Sequence, residues 1–396
     1  MNFLKLQKIE RTHSELGSSP KPTNADLKTY IALMDQWNAR KSESLALASP
    51  ISPLLKARAF YMRGRFELLR ELLNKNLRNP EIGEKPEWLL EQARLFNAEA
   101  NFRGAIEAVF LALESKPTLV TMLTLLQVRA LAYYESNEFE RCWHDLEMIE
   151  SLEAEIPRNV SAFYAKVLKI KLAARTQGSA RAKEYFFRCL NSECLNADKV
   201  LALVRAWIEI QTIDGKPAEW FAIACYHLSE RLGDRLYQAF ALVQIYYSLP
   251  EPLRQSLNTE LDIAKQEFAR VAKLCNALSV TSSPESTSPE KIILSVGVKL
   301  DFILLGNQHF YCFTNDITHF LEEGKIKSAI MIFSETEQVR KIKFFELLWG
   351  AQKYVPRLHD NLIWNLLSRL RKEHGFECSI ENDTILVRSR ILRLAL

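Results

Sequence analysis

A small residue followed nine positions later by a phenylalanine recurs three times in the first half of this chain. The pairs are Ala57 and Phe66, Ala93 and Phe102, and Ala130 and Phe139. They follow one another at 36 and 37 residues. Between Pro53 and Leu278 apolar residues recur at spacings of three and four, which is typical of helices. A period of this length predicts stacked pairs of helices, because each pair buries its apolar face only against its neighbours.

The spacing has a physical explanation. A small residue in the first helix lets its partner approach closely, and an aromatic at the start of the second helix fills the gap at the turn. The pattern resembles the tetratricopeptide repeat, and the second unit matches best, with Phe96 and Pro117 also in place. Repeat packing is assigned to Ala57, Phe66, Ala93, Phe102, Ala105, Ala130 and Phe139.

The other two units depart from the family pattern. Cys142 and Ile149 replace small alanines in the third unit, and Leu69 does so in the first. After Asn159 the pattern fades, and we interpret the later helices as degenerate pairs of the same stack. An ordinary helical core remains the alternative. The resemblance implies a curved surface that binds a peptide, a partner protein or a second copy of the chain.

Changes in composition divide the chain. Val280 to Lys291 contains four Ser, two Thr and two Pro and almost nothing apolar, which indicates a linker. Weaker breaks lie at Gly17 to Asn24 and at Ala48 to Pro53, around a first helical segment from 25 to 47. We therefore predict an N-terminal arm (1–24), a helical repeat domain (25–279), a linker (280–290) and a C-terminal domain (291–396).

The C-terminal domain begins with the apolar, β-rich stretches IILSVGVKLDFILLG and QHFYCF, which predict short strands. Helical periodicity resumes at Ile317 and covers three segments, and a terminal hairpin follows. Strands, three helices and a hairpin are typical of a winged helix. The predicted fold class is mainly α, with a tetratricopeptide-like α-α repeat solenoid and a C-terminal α/β winged helix-turn-helix domain.

The residues from Lys291 to Leu396 resemble the OmpR/PhoB-type winged helix. The resemblance rests on LLWG (347–350), Tyr354, Pro356 and HDNLIWNLLSRLRK (359–372). It implies that the helix from His359 lies in the major groove of DNA, while the hairpin after Gly375 reaches the neighbouring backbone or minor groove. No receiver domain precedes this segment, so control by aspartyl phosphorylation is not expected.

The helix from His359 has two faces at about 100° per residue. Ile363, Leu366, Leu367 and Leu370 form an apolar stripe. The remaining face carries amide, hydroxyl and cationic groups that suit base edges and phosphates, although a merely solvated face is the alternative. The predicted DNA-binding residues are Asn361, Trp364, Asn365, Ser368, Arg369, Arg371 and Lys372, with Arg388 and Arg390 from the hairpin.

Charge distribution favours a nucleic-acid partner for this domain. The whole chain has 52 Lys and Arg against 48 Asp and Glu, a net charge of +4. From Lys325 onward there are 13 basic and 8 acidic residues, a net of +5, so the rest of the chain carries −1. Glu381 and Asp383 at the hairpin tip would repel phosphates, and its contact with DNA would then depend on Arg388 and Arg390.

Motifs for chemistry are absent from the sequence. The 12 glycines form neither G-x-G-x-x-G nor a P-loop, and there is no G-x-S-x-G, H-E-x-x-H or C-x-x-C. His144, Asp145 and Glu147 are interpreted as a polar helix face, and Asp360 as a helix cap. The seven cysteines indicate buried thiols of a reducing compartment. We expect no enzyme, cofactor, metal or membrane span.

The favoured interpretation is a cytoplasmic, nucleoid-associated transcriptional regulator. Its expected partners are double-stranded DNA, a protein or peptide on the repeat surface, and a second copy in a homodimer. The alternative is a non-enzymatic scaffold whose repeats and winged helix mediate protein assembly. A third possibility is a tetratricopeptide adaptor with a vestigial winged helix.

Overall fold

The computed structural model describes residues 53–78, 85–153, 160–192, 195–280, 292, 295–314, 317–321, 324–350, 354–394 and 396. The predicted arm, the segment 25–47 and residues 281–290 of the predicted linker lie outside these ranges. Two compact units are present. The helical unit comprises residues 1–193 and 201–293, and the C-terminal unit comprises 294–396 together with 194–200.

The described chain is mainly helical, as the sequence predicts. The helical unit contains α1 (Pro53–Met62), α2 (Phe66–Asn76), α3 (Lys85–Ala98), α4 (Phe102–Glu114), α5 (Leu119–Glu135), α6 (Phe139–Glu153), α7 (Val160–Gln177), α8 (Ser179–Ser192), α9 (Ala197–Ile213, from Leu201 within this unit), α10 (Glu219–Leu232), α11 (Arg235–Ser248), α12 (Glu251–Arg254), α13 (Asn258–Glu267) and α14 (Ala269–Val280). A membrane span needs about 20 apolar residues, and no helix in the described ranges combines that length with that apolarity.

One turn geometry recurs among the described helices: it lies between α1 and α2, α3 and α4, and α5 and α6, and again at Gly233 (φ 73°) between α10 and α11, where Asp234 N donates to Ser229 O at 2.9 Å. Gly64, Ala100 and Asn137 have left-handed backbone angles, with φ of 66°, 59° and 61°. Each lies two residues before the phenylalanine that begins the next helix. In each of these three turns the following amide donates to a carbonyl five residues earlier, at 2.8 Å. Gly64, Ala100 and Asn137 recur at the same spacing along the chain as the Ala and Phe pairs, and three different residue types occupy the left-handed position.

Each of these helices packs on the next, and α1, α3, α5 and α7 also pack on one another in sequence order. The small residues lie where the helices approach: Ala57, Ala93, Ala105 and Ala130 have no exposed surface. Phe66 is buried, and Phe102 and Phe139 are partly buried.

The last helices of the unit pack on the first. Residues of α1 to α3 share one buried core with residues of α11, α13 and α14. Phe66 and Phe268 meet edge to face with ring centroids 5.7 Å apart, and Arg63 Nη1 donates to Gly233 O at 2.7 Å. Helices more than 150 residues apart in sequence are thereby joined.

The interpretation of Asp145 as part of a polar surface was wrong, because its side chain is only 1% exposed. Arg129 on α5 donates two hydrogen bonds to this carboxylate on α6, at 2.9 and 2.6 Å. Phe110 and Tyr133 flank the guanidinium. His144 and Glu147 are exposed, as predicted. The pair ties two helices of one repeat together.

The C-terminal unit contains β1 (Phe302–Leu305), β2 (His309–Cys312), β3 (Ile317–Phe320), α15 (Lys325–Phe333), β4 (Gln338–Arg340), α16 (Lys341–Trp349), α17 (Pro356–His374), β5 (Cys378–Glu381), β6 (Thr384–Val387) and β7 (Ile391–Leu394). One sheet has the order β3-β2-β1-β7 and the other β4-β6-β5. β7 runs parallel to β1, and the other pairings are antiparallel.

Three predictions for this unit were wrong. Ile317 begins β3 and not a helix, because residues 317–320 pair with β2 and place His319 opposite Phe310. Ser295 and Val296 are helical, although the stretch that contains them was predicted to form a strand, and the helix predicted from Ile317 begins only at Lys325. The last helix begins at Pro356, three residues before the predicted His359. β4 and β7 were not predicted, since each is held by partners distant in sequence.

The core of this unit lies between the helices and the strands. The predicted apolar stripe of α17 is confirmed: Ile363, Leu366, Leu367 and Leu370 are at most 6% exposed and belong to this core. Phe302, Phe310 and Phe376 stack with one another inside it. The stripe fixes which face of α17 points outward.

Candidate nucleic-acid interface

The outward face of α17 carries the residues that the sequence assigned to DNA. Asn361, Asn365, Arg369, Arg371 and Lys372 are exposed. Trp364 is 47% exposed, and Ser368 is partly buried. The helix therefore presents two amides and three cations together.

The three cations differ in how far they are already neutralised. Arg369 pairs with Glu373, with Nε 3.0 Å from Oε1. Arg371 lies over the Trp364 ring, and its Nε donates to Leu367 O at 3.3 Å. Among the described residues, neither Arg371 nor Lys372 has a carboxylate partner. These two charges are available to a bound anion.

Exposed apolar side chains occupy the first half of the same helix. Leu358 is 67% exposed, Leu362 is 43% exposed, and Val355 just before the helix is 38% exposed. At about 100° per residue, Leu358 and Leu362 lie beside Asn365 and Arg369 on the outward face. Sequence analysis missed these leucines because they fall outside the apolar stripe. The face is thus apolar at one end and cationic at the other.

The acidic hairpin tip is neutralised from within the unit. Asn382 and Asp383 form the turn between β5 and β6, with φ of 47° and 60°. The Asp383 carboxylate lies 2.7 Å from Nζ of Lys341, which is buried at the start of α16. The ion pair raises the pKa of Lys341, and this lysine also lies 3.2 Å from Asp360.

Asp360 does not cap α17, contrary to the sequence interpretation. It lies in the second turn of the helix, where it accepts hydrogen bonds from Tyr354 and Lys341. These bonds lower the pKa of the carboxyl group. No side chain caps the helix at its N-cap residue Val355, whose backbone N–H donates to His359 Nδ1 at 2.9 Å.

The two predicted hairpin arginines are placed differently from each other. Arg388 lies 3.2 Å from Glu381, so one of the tip acids has a cationic partner. Arg388 and Arg371 border a cleft of about 390 Å³ between the end of α17 and β5. The exposed Arg390 has its backbone N–H held by Asp301 at 2.9 Å.

The sequence prediction of buried thiols can be compared with the described ranges. No cluster of three or more His, Cys, Asp or Glu there could hold a metal ion. Cys142, Cys189, Cys225, Cys275, Cys312 and Cys378 are buried free thiols. Searches against protein-family models, curated proteins and solved structures found no match to the chain.

Proposed function

We propose that the C-terminal unit is a winged helix that binds double-stranded DNA, with α17 in the major groove, and that the protein regulates transcription. The observation that carries this proposal is the outward face of α17, where Asn361, Asn365 and Lys372 are exposed together and Arg371 is exposed at the flank. The order α15, β4, α16, α17 and then the β5–β6 hairpin paired with β4 supports it.

Affinity and specificity come from different residues in this proposal. Arg371 and Lys372, which have no carboxylate partner among the described residues, bind phosphates and supply most of the affinity. Asn361 and Asn365 hydrogen-bond to base edges, where an amide can pair with adenine. The Lys341 ion pair holds Asp383 at the hairpin tip and reduces its repulsion of the backbone.

The helical unit acts as a tetratricopeptide-like stack in the same proposal. The recurring turn at Gly64, Ala100 and Asn137 and the packing of α1, α3, α5 and α7 on one another support that assignment. Such a stack recruits a partner protein or pairs two copies of the chain. Its contribution to regulation is assembly, while DNA contact belongs to the C-terminal unit.

Paired substitutions test the DNA face. We expect Arg371→Ala with Lys372→Ala to lower the slope of log affinity against log salt by about 1.8, because each phosphate contact contributes about 0.9. The measurement is fluorescence anisotropy of a labelled duplex with the full chain. Arg103→Ala with Arg141→Ala removes two exposed charges from the helical unit and is the matched control. A slope that falls equally in both variants contradicts the proposal.

The exposed leucines favour a second candidate function, a scaffold that binds another protein. Leu358 and Leu362 offer an apolar contact that a purely phosphate-binding helix does not need. A scaffold predicts no salt-sensitive affinity for duplex DNA. It also predicts self-association or partner capture that Leu358→Ser with Leu362→Ser abolishes, as measured by analytical ultracentrifugation.

A further inference from the structure

The helical unit contains a partly open cavity of about 540 Å³ that the DNA proposal does not use. Its walls come from the α3–α4 turn and from α5, α7, α9, α10, α11 and α14. The volume lies within the range of small-molecule sites, which is about 300 to 1,000 Å³. Residues from seven places along the chain thus meet around one space large enough for a ligand.

The wall carries an excess of positive charge. Five cations line it, against the carboxylates of Glu135 and Glu209, which leaves a net of +3. The five are Lys171, Arg175, Arg205, Arg270 and Lys273. Grouping like charges around a partly enclosed space is unfavourable unless an anion joins them.

Two of the cations form no close ion pair among the described residues. Glu209 lies 2.5 Å from Arg175 and 4.0 Å from Lys171, and Glu135 lies 2.5 Å from Arg270. Arg205 instead stacks over the Tyr237 ring, 3.7 Å from its centroid. Lys273 donates to Ala100 O at 3.0 Å and lies over Phe102. Within the described ranges, neither Arg205 nor Lys273 has a carboxylate within 4 Å, and the buried Asp234 acts on Arg205 only from a greater distance.

The positive charge of the cavity wall affects the pKa of Lys171. Its side chain is only 16% exposed. Burial and the positive charge of Arg205 lower the pKa of Lys171 to about 8, although Glu209 opposes the shift. A bound anion would reverse this effect.

The rest of the wall is apolar and aromatic. Phe240, Ile208, Leu274 and Leu278 line it beside the Tyr237 ring. Such a lining favours a flat apolar group next to the charged end of a ligand. We propose that this cavity binds a small organic anion in which a carboxylate or phosphate, held by Arg205 and Lys273, is attached to a flat apolar body.

Four small molecules test separately whether the charged group and the aromatic ring of a ligand contribute to binding. Phenyl phosphate and benzoate carry the two head groups on one ring, inorganic phosphate lacks the ring, and benzyl alcohol lacks the charge. We expect at least one of the two aromatic anions to bind the full chain at least tenfold more tightly than either incomplete probe, by isothermal titration calorimetry. The tighter of the two identifies the head group. Benzyl alcohol binding as tightly as both anions would overturn the proposal.

Two substitutions with opposite expected effects on ligand affinity distinguish the loss of a charge contact from damage to the fold. Arg205→Gln should weaken the tighter-binding aromatic anion at least tenfold, while Glu135→Gln should tighten it several-fold by releasing Arg270. Arg103→Gln, on a side chain 92% exposed, is the control of matched charge and should change nothing.

Equal affinity in the wild type and Arg205→Gln would refute the site. If circular dichroism shows that Arg205→Gln does not fold, the affinity of Glu135→Gln for the aromatic anion becomes the test. Unchanged or weaker binding by Glu135→Gln would then refute the site. None of these measurements involves DNA, so the cavity and the DNA face can fail separately.

Discussion

Replacing Asp145 by Ala should be among the most damaging single changes in the helical unit. The carboxylate is 1% exposed and accepts two hydrogen bonds from Arg129, whose own side chain is 9% exposed. Without Asp145 the guanidinium stays buried with no counter-charge. Breaking a buried ion pair from one side costs about 3 to 5 kcal/mol.

The surroundings of Arg129 place the expected loss near the lower end of that range. Its guanidinium lies 4.8 Å from the Phe110 ring centroid and 5.9 Å from that of Tyr133, and both contacts survive the substitution. We therefore expect a loss of about 3 kcal/mol. With a urea dependence near ~3 kcal/mol/M, the unfolding midpoint should fall by about 1 M.

Urea unfolding followed by circular dichroism measures this shift. The exposed pair Arg103 and Glu107 is the control, and Glu107→Ala should cost less than about 0.5 kcal/mol. Arg129→Met with Asp145→Leu removes both charges and should cost much less than Asp145→Ala. A loss below about 1 kcal/mol for Asp145→Ala, or a double variant as unstable as the single one, would refute the reasoning.

Two further changes test other parts of the structure. Ala100→Gly should stabilise the helical unit by about 1 kcal/mol, because a positive φ has a steric cost for Ala that it does not have for Gly. Ala108→Gly inside α4 is the control and should destabilise the unit. Thermal melts that show no gain in stability for Ala100→Gly would contradict the turn geometry. Burial lowers the pKa of His319 and His374, whose rings lie 5.2 Å apart, so the folded state binds fewer protons than the unfolded state below about pH 6.5. Stability of the C-terminal unit should therefore fall as pH drops from about 6.5 through the lowered pKa values. Urea unfolding midpoints measured across that range test this. A midpoint that stays constant in the wild type, or that falls equally in the double variant His319→Gln with His374→Gln, would contradict the prediction.

Much of the helical unit follows from local sequence pattern. The spacings of three and four predict the helices, and the Ala and Phe pairs coincide with buried contacts and helix starts because both depend on neighbouring residues. The left-handed turn position was not recognised, since Gly64, Ala100 and Asn137 share a conformation but no side-chain chemistry. The packing of α14 on α1 to α3 depends on tertiary contacts that no local pattern records.

The candidate sites were predictable to different degrees. The outward face of α17 follows from the apolar stripe of one helix, so its polar residues could be named in advance. The Lys341 contacts to Asp360 and Asp383 join three elements and could not. The cavity was also missed, because Lys171, Arg205 and Arg270 are spread over a hundred residues and meet only through the fold.

We propose that this protein binds duplex DNA through charged residues of its C-terminal unit. The most direct test is the affinity of the full chain for a labelled random duplex at 50 and 200 mM salt. Two phosphate contacts, from Arg371 and Lys372, predict that affinity falls by about 12-fold over this interval. No saturable binding at 50 mM salt, or an affinity independent of salt, would contradict the account.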